Sequence, residues 1–183
     1  MIPASLARRY ARALLQLAET PMQREIFGRD LAAFARAATT PNNGDGTLLS
    51  VLDFAVHKQS ERRAVLAAVL QRMALDPLVT RFLLLVFDRG RVAAVPRIAE
   101  AYAEMADALA GRMKATLTSA RPLAADAVAK LKAALERSTG KTILVETKVD
   151  PSLIGGVVTQ LGTYLFDGSV KSQLERMRTA LRS

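Results

Sequence analysis

The sequence predicts a mainly α protein with a smaller α/β part: an N-terminal six-helix bundle over residues 1–108, then a β-α-β-β-α domain over residues 109–183. Two patterns carry this reading. Apolar residues recur at three- and four-residue spacing up to about residue 109, and from Gly111 the period drops to two. Composition agrees: half the residues are hydrophobic, Ala and Leu dominate, aromatics make up 5%, and Trp and Cys are absent. Helices rich in small side chains pack closely on such a composition.

The first helix is expected over about residues 4–18, with Leu6, Tyr10, Leu14 and Leu17 on one face and Ala7, Ala11 and Ala18 as an adjacent small-residue strip. Thr20-Pro21-Met22-Gln23 opens the second as N-cap, first-turn proline and capping-box glutamine, with Phe27, Leu31, Phe34 and Ala38 inward. Pro41 to Gly46 is a loop by composition. Short and longer helices follow, around Thr47–Val56 and about Ser60–Met73, the latter with Leu66, Val69, Leu70 and Met73 in phase. Asp76-Pro77 repeats the cap-plus-proline opening for a fifth helix to about Arg89. That helix is apolar nearly all round through Phe82–Phe87, and Gly90 suits its C-terminal cap. The sixth, from about Val92 to Leu109, turns Val95, Ile98, Tyr102, Met105 and Leu109 one way, with Pro96 near its first turn.

Beyond Gly111, Met113, Ala115 and Leu117 alternate with polar residues, as do Ile143, Val145, Thr147 and Val149, so both segments read as strands. Residues 123–138 between them read as a helix with Val128, Leu131 and Leu135 inward, ended by Gly140. A third strand is expected over about residues 156–166. An Asp167-Gly168 turn and the N-cap Ser169 then lead into a final amphipathic helix with Val170, Leu174, Met177 and Leu181 on one face.

Catalytic constellations do not emerge. Gly155-Gly156 and Gly162 fit neither phosphate-loop spacing and precede or interrupt a strand, where close backbone approach or a bulge accounts for them. His57 is the single histidine and there is no cysteine, so no metal site of the usual kind is expected and no cofactor is implied. Asp30, Asp53, Asp76, Asp88, Glu100, Glu104 and Asp107 fall at caps or on outward helix faces. Ser5, Ser50, Ser60 and Ser169 lack histidine and aspartate in suggestive company. The chain is therefore expected not to be an enzyme.

No apolar h-region precedes Arg8-Arg9, and the longest apolar runs, such as Phe82–Phe87, are too short to span a bilayer. Formal net charge is +9. Residues 1–110 hold 14 Lys and Arg against 11 Asp and Glu, residues 111–183 hold 12 against 6, so the excess sits in the second part. An acidic partner is worth considering on this ground, and a small basic nucleic-acid-binding protein is the alternative reading. Arg8, Arg9 and Arg12 flank Tyr10, with Arg9 on a different side of the helix from the other two. Lys130, Lys132, Arg137, Lys141 and Lys148 make the second part basic without interleaved aromatics for base stacking.

In order along nearly the whole chain, several segments resemble the delta subunit of the bacterial rotary F-type ATP synthase, the counterpart of the mitochondrial oligomycin-sensitivity-conferring protein. They are Ala7-Arg-Arg-Tyr-Ala-Arg-Ala-Leu14 with Leu17-Ala18, Phe82-Leu-Leu-Leu-Val-Phe-Asp-Arg-Gly-Arg91, Ser119-Ala-Arg-Pro-Leu123, Asp150-Pro-Ser-Leu-Ile-Gly-Gly156 and Phe166-Asp-Gly-Ser-Val170. Asp88-Arg89 stands where Glu-Asn is often found in that family. The resemblance implies a non-catalytic stator component, peripheral on the cytoplasmic face of the bacterial membrane. Its N-terminal bundle is expected to bind alpha-subunit N-terminal helices on the catalytic head, and its C-terminal domain the b subunits of the stalk. It points to Ala7, Tyr10, Ala11, Leu14, Phe82, Leu85 and Val86 as head contacts. Lys171, Gln173, Glu175, Arg176, Arg178 and Arg182, away from the apolar stripe of the last helix, are candidates for the stalk.

Overall fold

The computed structural model describes residues 3–41, 46–53, 57–162, 164–170 and 172. Within them the protein is mostly helical, with seven α-helices and one four-stranded mixed sheet. The chain divides into two compact units, Met1–Ala106 and Asp107–Ser183.

In the first unit, α1 (Ala4–Leu17) buries Ala7, Ala11, Leu14 and Leu15. The small-residue strip is thus the core face of α1, and Leu17, expected inward, is 52% exposed. Leu6 and Tyr10, on the rows beside the alanines, are partly buried against the edge of the core. α2 (Pro21–Thr39) opens as its sequence dictates: the Thr20 side chain accepts the Gln23 N–H at 3.1 Å while Gln23 Oε1 accepts the Thr20 N–H at 3.3 Å. Phe27, Leu31, Phe34 and Ala38 are all buried. Each large side chain taken out of water there contributes about 1.5–3 kcal/mol before entropy is set against it.

Short α3 (Leu48–Asp53) packs on α2 and α4 (Gln59–Met73), and α4 buries Leu66 and Leu70, one turn apart. Arg62 ties these elements: its Nη1 donates to the Leu52 carbonyl at 2.7 Å and its guanidinium lies over the Phe87 ring, 5.8 Å from the centroid. α5 (Pro77–Asp88) starts at the Asp76 cap, whose carboxylate accepts the Leu78 N–H at 2.8 Å. It ends in a Schellman arrangement in which the Gly90 N–H donates to Phe87 O at 2.8 Å and the Arg91 N–H to Val86 O at 3.0 Å.

The sixth helix starts later than its periodicity suggests. Val92–Ala94 form a 3-10 turn and α6 runs Val95–Leu109. Pro96 has no N–H for the Val92 carbonyl, so that carbonyl takes the Val95 N–H in a tighter turn. Val95, Ile98 and Tyr102 face the core, while Leu109, in the last turn, is 63% exposed rather than inward.

In the second unit, β1 (Arg112–Ser119) and β2 (Thr142–Val149) run parallel in register from Arg112↔Thr142 to Ser119↔Val149, with α7 (Ala125–Thr139) as the crossover between them. Sheet order is β2-β1-β3-β4. Ala115, Ile143 and Leu161 form a buried cluster with Met113, Leu135 and Val145 packed against it, and Leu117 is buried as well. On β2 burial fades after Val145, and Val149 is 52% exposed although its spacing places it inward.

The expected single strand over 156–166 is a hairpin instead, β3 (Val157–Leu161) paired antiparallel with β4 (Tyr164–Asp167). Gly162 breaks the run: its φ of +58° turns the chain where a side-chain-bearing residue would continue extended. The final helix beyond residue 172 lies outside the described residues, but its cap is present, the Ser169 hydroxyl accepting the Ser172 N–H at 3.3 Å.

Candidate functional site

The candidate head-contact residues fall where α1 meets α5, and the fold sorts them into two groups. Ala7, Ala11, Leu14, Phe82 and Val86 are buried, between 0% and 8% exposed, and belong to the core beneath the surface. Tyr10 is half-buried and Leu85 is 47% exposed, so these two remain reachable from solvent. The over-apolar character of α5 thus has a structural outlet: Val79, Phe82, Leu83, Val86 and Phe87 serve the core, and Leu85 is left outside it.

Tyr10 joins the two helices. Its ring meets Phe82 edge-on, with centroids 6.2 Å apart and an interplanar angle of 69°. The Arg91 guanidinium lies 5.8 Å from the Tyr10 centroid and its Nη1 donates to the Tyr10 hydroxyl at 3.4 Å. The Schellman turn after α5 places the Arg91 backbone for this contact.

Two open clefts flank Leu85. One of about 360 Å3 is lined by Arg9, Tyr10, Ala13, Leu85, Arg89 and Arg91. The other, about 320 Å3, is lined by Arg63, Arg81, Leu84, Leu85, Asp88 and Arg89. They share Leu85 and Arg89, so they adjoin along the outer face of α5 as a two-part trough. Of the arginines around Tyr10 in the sequence, Arg9 lines the trough, and Arg8 and Arg12 do not.

Sequence reasoning missed Arg81 and Arg89 as members of this surface. Their signal was spacing: Arg81, Leu85 and Arg89 are four apart and share one helix face. Asp88, in the same trough, pairs with Arg63 at 3.1 Å.

Elsewhere the sequence-predicted residues take structural roles. Gly156 has φ +84°, and a Cβ on it would collide with the Gly168 carbonyl and Ser169 Cα. Here the segments 155–157 and 168–170 exchange backbone bonds, Gly168 N–H to Val157 O at 3.1 Å and Val170 N–H to Gly155 O at 3.0 Å. His57 is exposed. Among the described residues no group of three or more His, Cys, Asp or Glu could hold a metal, and no helix is long and apolar enough to cross a membrane. The candidate stalk residues Lys171, Gln173, Glu175, Arg176, Arg178 and Arg182 lie outside the described residues.

Comparison with known proteins gives a consistent answer. The family model for the ATP synthase delta (OSCP) subunit matches residues 6–181. A protein named ATP synthase subunit delta from Geobacter metallireducens is 40% identical over 182 residues, covering 100% of this chain and 99% of the relative. One of the same name from Myxococcus xanthus is 39% identical over 184 residues, covering 100% and 99%. A chain in the cryo-EM structure of the Toxoplasma gondii mitochondrial ATP synthase hexamer shares the fold with a TM-score of 0.72 at 23% identity, covering 97% of this chain and 98% of that one. The nucleic-acid alternative is not favoured, and the trough offers one aromatic ring, Tyr10, already engaged by Phe82 and Arg91.

Proposed function

Because the chain belongs to the ATP synthase delta (OSCP) subunit family, non-catalytic subunits of the F-type peripheral stalk, we infer how its two parts divide that work. Residues 1–108, read as a six-helix bundle, bind N-terminal helices of the alpha subunits on the catalytic head. Residues 109–183, the α/β part, bind the distal end of the b subunits. Held at both ends, the chain resists rotor torque during ATP synthesis, peripheral to the membrane on its cytoplasmic face.

One observation supports the head-binding half above the others: Leu85 stands 47% exposed beside half-buried Tyr10 in one cleft where α1 meets α5. An amphipathic helix laid along that cleft would cover the Leu85 side chain that α5 leaves in water. The stalk-binding half rests on the sequence of the last helix and its basic surround.

Calorimetric titration of a synthetic alpha-subunit N-terminal peptide into the full-length chain tests the groove. Leu85→Asp should weaken binding at least tenfold, the equivalent of about 1.4 kcal/mol. Unchanged affinity would remove α1 and α5 from the interface.

A further inference from the structure

We propose that the trough selects its partner by charge as well as shape: it accepts a helical segment that carries an aliphatic side chain flanked by carboxylates about two turns apart. The inference rests on the head-binding reading above and specifies the chemistry of the segment that docks.

The argument starts from the charges. Among the described residues five arginines line the trough, Arg9, Arg63, Arg81, Arg89 and Arg91, against a single carboxylate, Asp88. Two of the five are engaged, Arg63 with Asp88 and Arg91 with Tyr10. Arg9, Arg81 and Arg89 have no carboxylate partner among the described residues, and all three are exposed. Like charges concentrated on one face repel each other, so a surface of this kind is relieved by an acidic partner.

Spacing then gives the pattern. Arg81 and Arg89 bracket Leu85 on one face of α5 and its C-cap, four residues to each side. At 1.5 Å per residue they are separated by about 12 Å along the axis. A helix lying along α5 has the same rise, so it meets Arg81, Leu85 and Arg89 with an acidic, an aliphatic and an acidic residue at matching four-residue steps. Arg9, across the cleft on α1, faces the opposite flank of that helix. Guanidinium groups suit this task because each offers a planar fork to a carboxylate.

Salt separates this idea from a purely apolar groove. The test titrates the full-length chain with the synthetic N-terminal peptide of the alpha subunit encoded in the same genome, and with a version whose Asp and Glu are changed to Asn and Gln. The protein variants are the double substitution Arg81→Gln with Arg89→Gln, and the control Arg8→Gln with Arg12→Gln, which removes the same charge outside the trough. The expected result is a roughly three- to tenfold weaker affinity for the trough variant, less than twofold change for the control, and loss of most salt dependence with the neutral peptide. Equal effects of the two double variants, or equal binding of the acidic and neutral peptides, would overturn the charge proposal while leaving the groove assignment standing. No binding of either peptide to the unmodified chain would overturn the groove assignment itself. An oligonucleotide that displaces the bound peptide would replace the proposed occupant with nucleic acid.

Discussion

Asp30 on α2 holds the start of α5: its Oδ2 accepts the backbone N–H of Asp76 at 2.9 Å across 46 positions of sequence. Its other oxygen, Oδ1, accepts from Arg29 Nε and Nη2 at 3.2 Å, and the Arg29 side chain is 74% exposed while that of Asp30 is 8% exposed. The two bonds are therefore unequal, because solvent screens the exposed pair and leaves the backbone bond at nearly full strength.

Asp30→Ala should destabilise the first unit by about 2 kcal/mol, as expected when a buried N–H loses a charged acceptor. For a domain of this size that lowers the melting temperature by on the order of 10 °C. Arg29→Ala should move it far less. Thermal unfolding followed by circular dichroism compares the two, and equal shifts would show that the ion pair, rather than the helix start, is what Asp30 supplies.

Leu14 and Leu85 are both candidate head-contact residues, yet an aspartate at each should act differently. Leu14 is fully buried, so Leu14→Asp places a charge in the core and should cost about 3–5 kcal/mol, enough to unfold a marginal domain. Leu85 is half in water, and Leu85→Asp should alter stability by about 0.5 kcal/mol or less. Urea unfolding of both variants checks this, and only the second is fit for a binding assay.

Tyr102 should make the fold sensitive to alkali. Burial pushes its hydroxyl up to about 12 from the ordinary 10.0, against a smaller lowering by Arg24, and the hydroxyl donates to the Arg24 carbonyl at 3.0 Å. Since the folded state keeps its proton longer, this contribution is complete below pH 10.0 and is lost as pH rises toward 12. Stability measured by urea unfolding should fall with pH over that window, and Tyr102→Phe should flatten the slope. A phenolate absorbance change for Tyr102 below pH 10 in the folded protein would contradict the assignment.

Gly156→Ala should destabilise the second unit by about 2 kcal/mol or more, because the residue keeps a positive φ and its new methyl meets the backbone of Gly168. Gly162→Ala, with the same sign of φ but open space around it, should cost about 1 kcal/mol. Amide exchange of Gly168 reports the difference, since its N–H donates to the Val157 carbonyl and closes the loop at this point.

The helical part was largely legible because its signals are local. Thr20-Pro21-Gln23 and Asp76-Pro77 announce their helices by chemistry completed within three residues, and Gly90 and Gly140 close theirs in the same way. What the sequence hid depends on three dimensions. The burial of Ala7 and Ala11 with exposure of Leu17 follows from which face of α1 the other helices cover, which periodicity alone does not record. The hairpin at Gly162 hid inside a strand-like run from Val157 to Phe166, where one positive φ decides between one strand and two. The trough residues Arg81 and Arg89 look like ordinary solvated charges until Arg9 is brought across from α1.

The turn that ends α5 has a further effect on kinetics. Because the Arg91 N–H is fixed to Val86 O and its guanidinium rests on Tyr10, one wall of the trough is set by the backbone before anything docks. Little side-chain entropy remains to be lost there on association, so changes to this wall should act on how long the proposed helix stays, while changes to Arg9, Arg81 and Arg89, exposed to solvent, should act on how often it arrives.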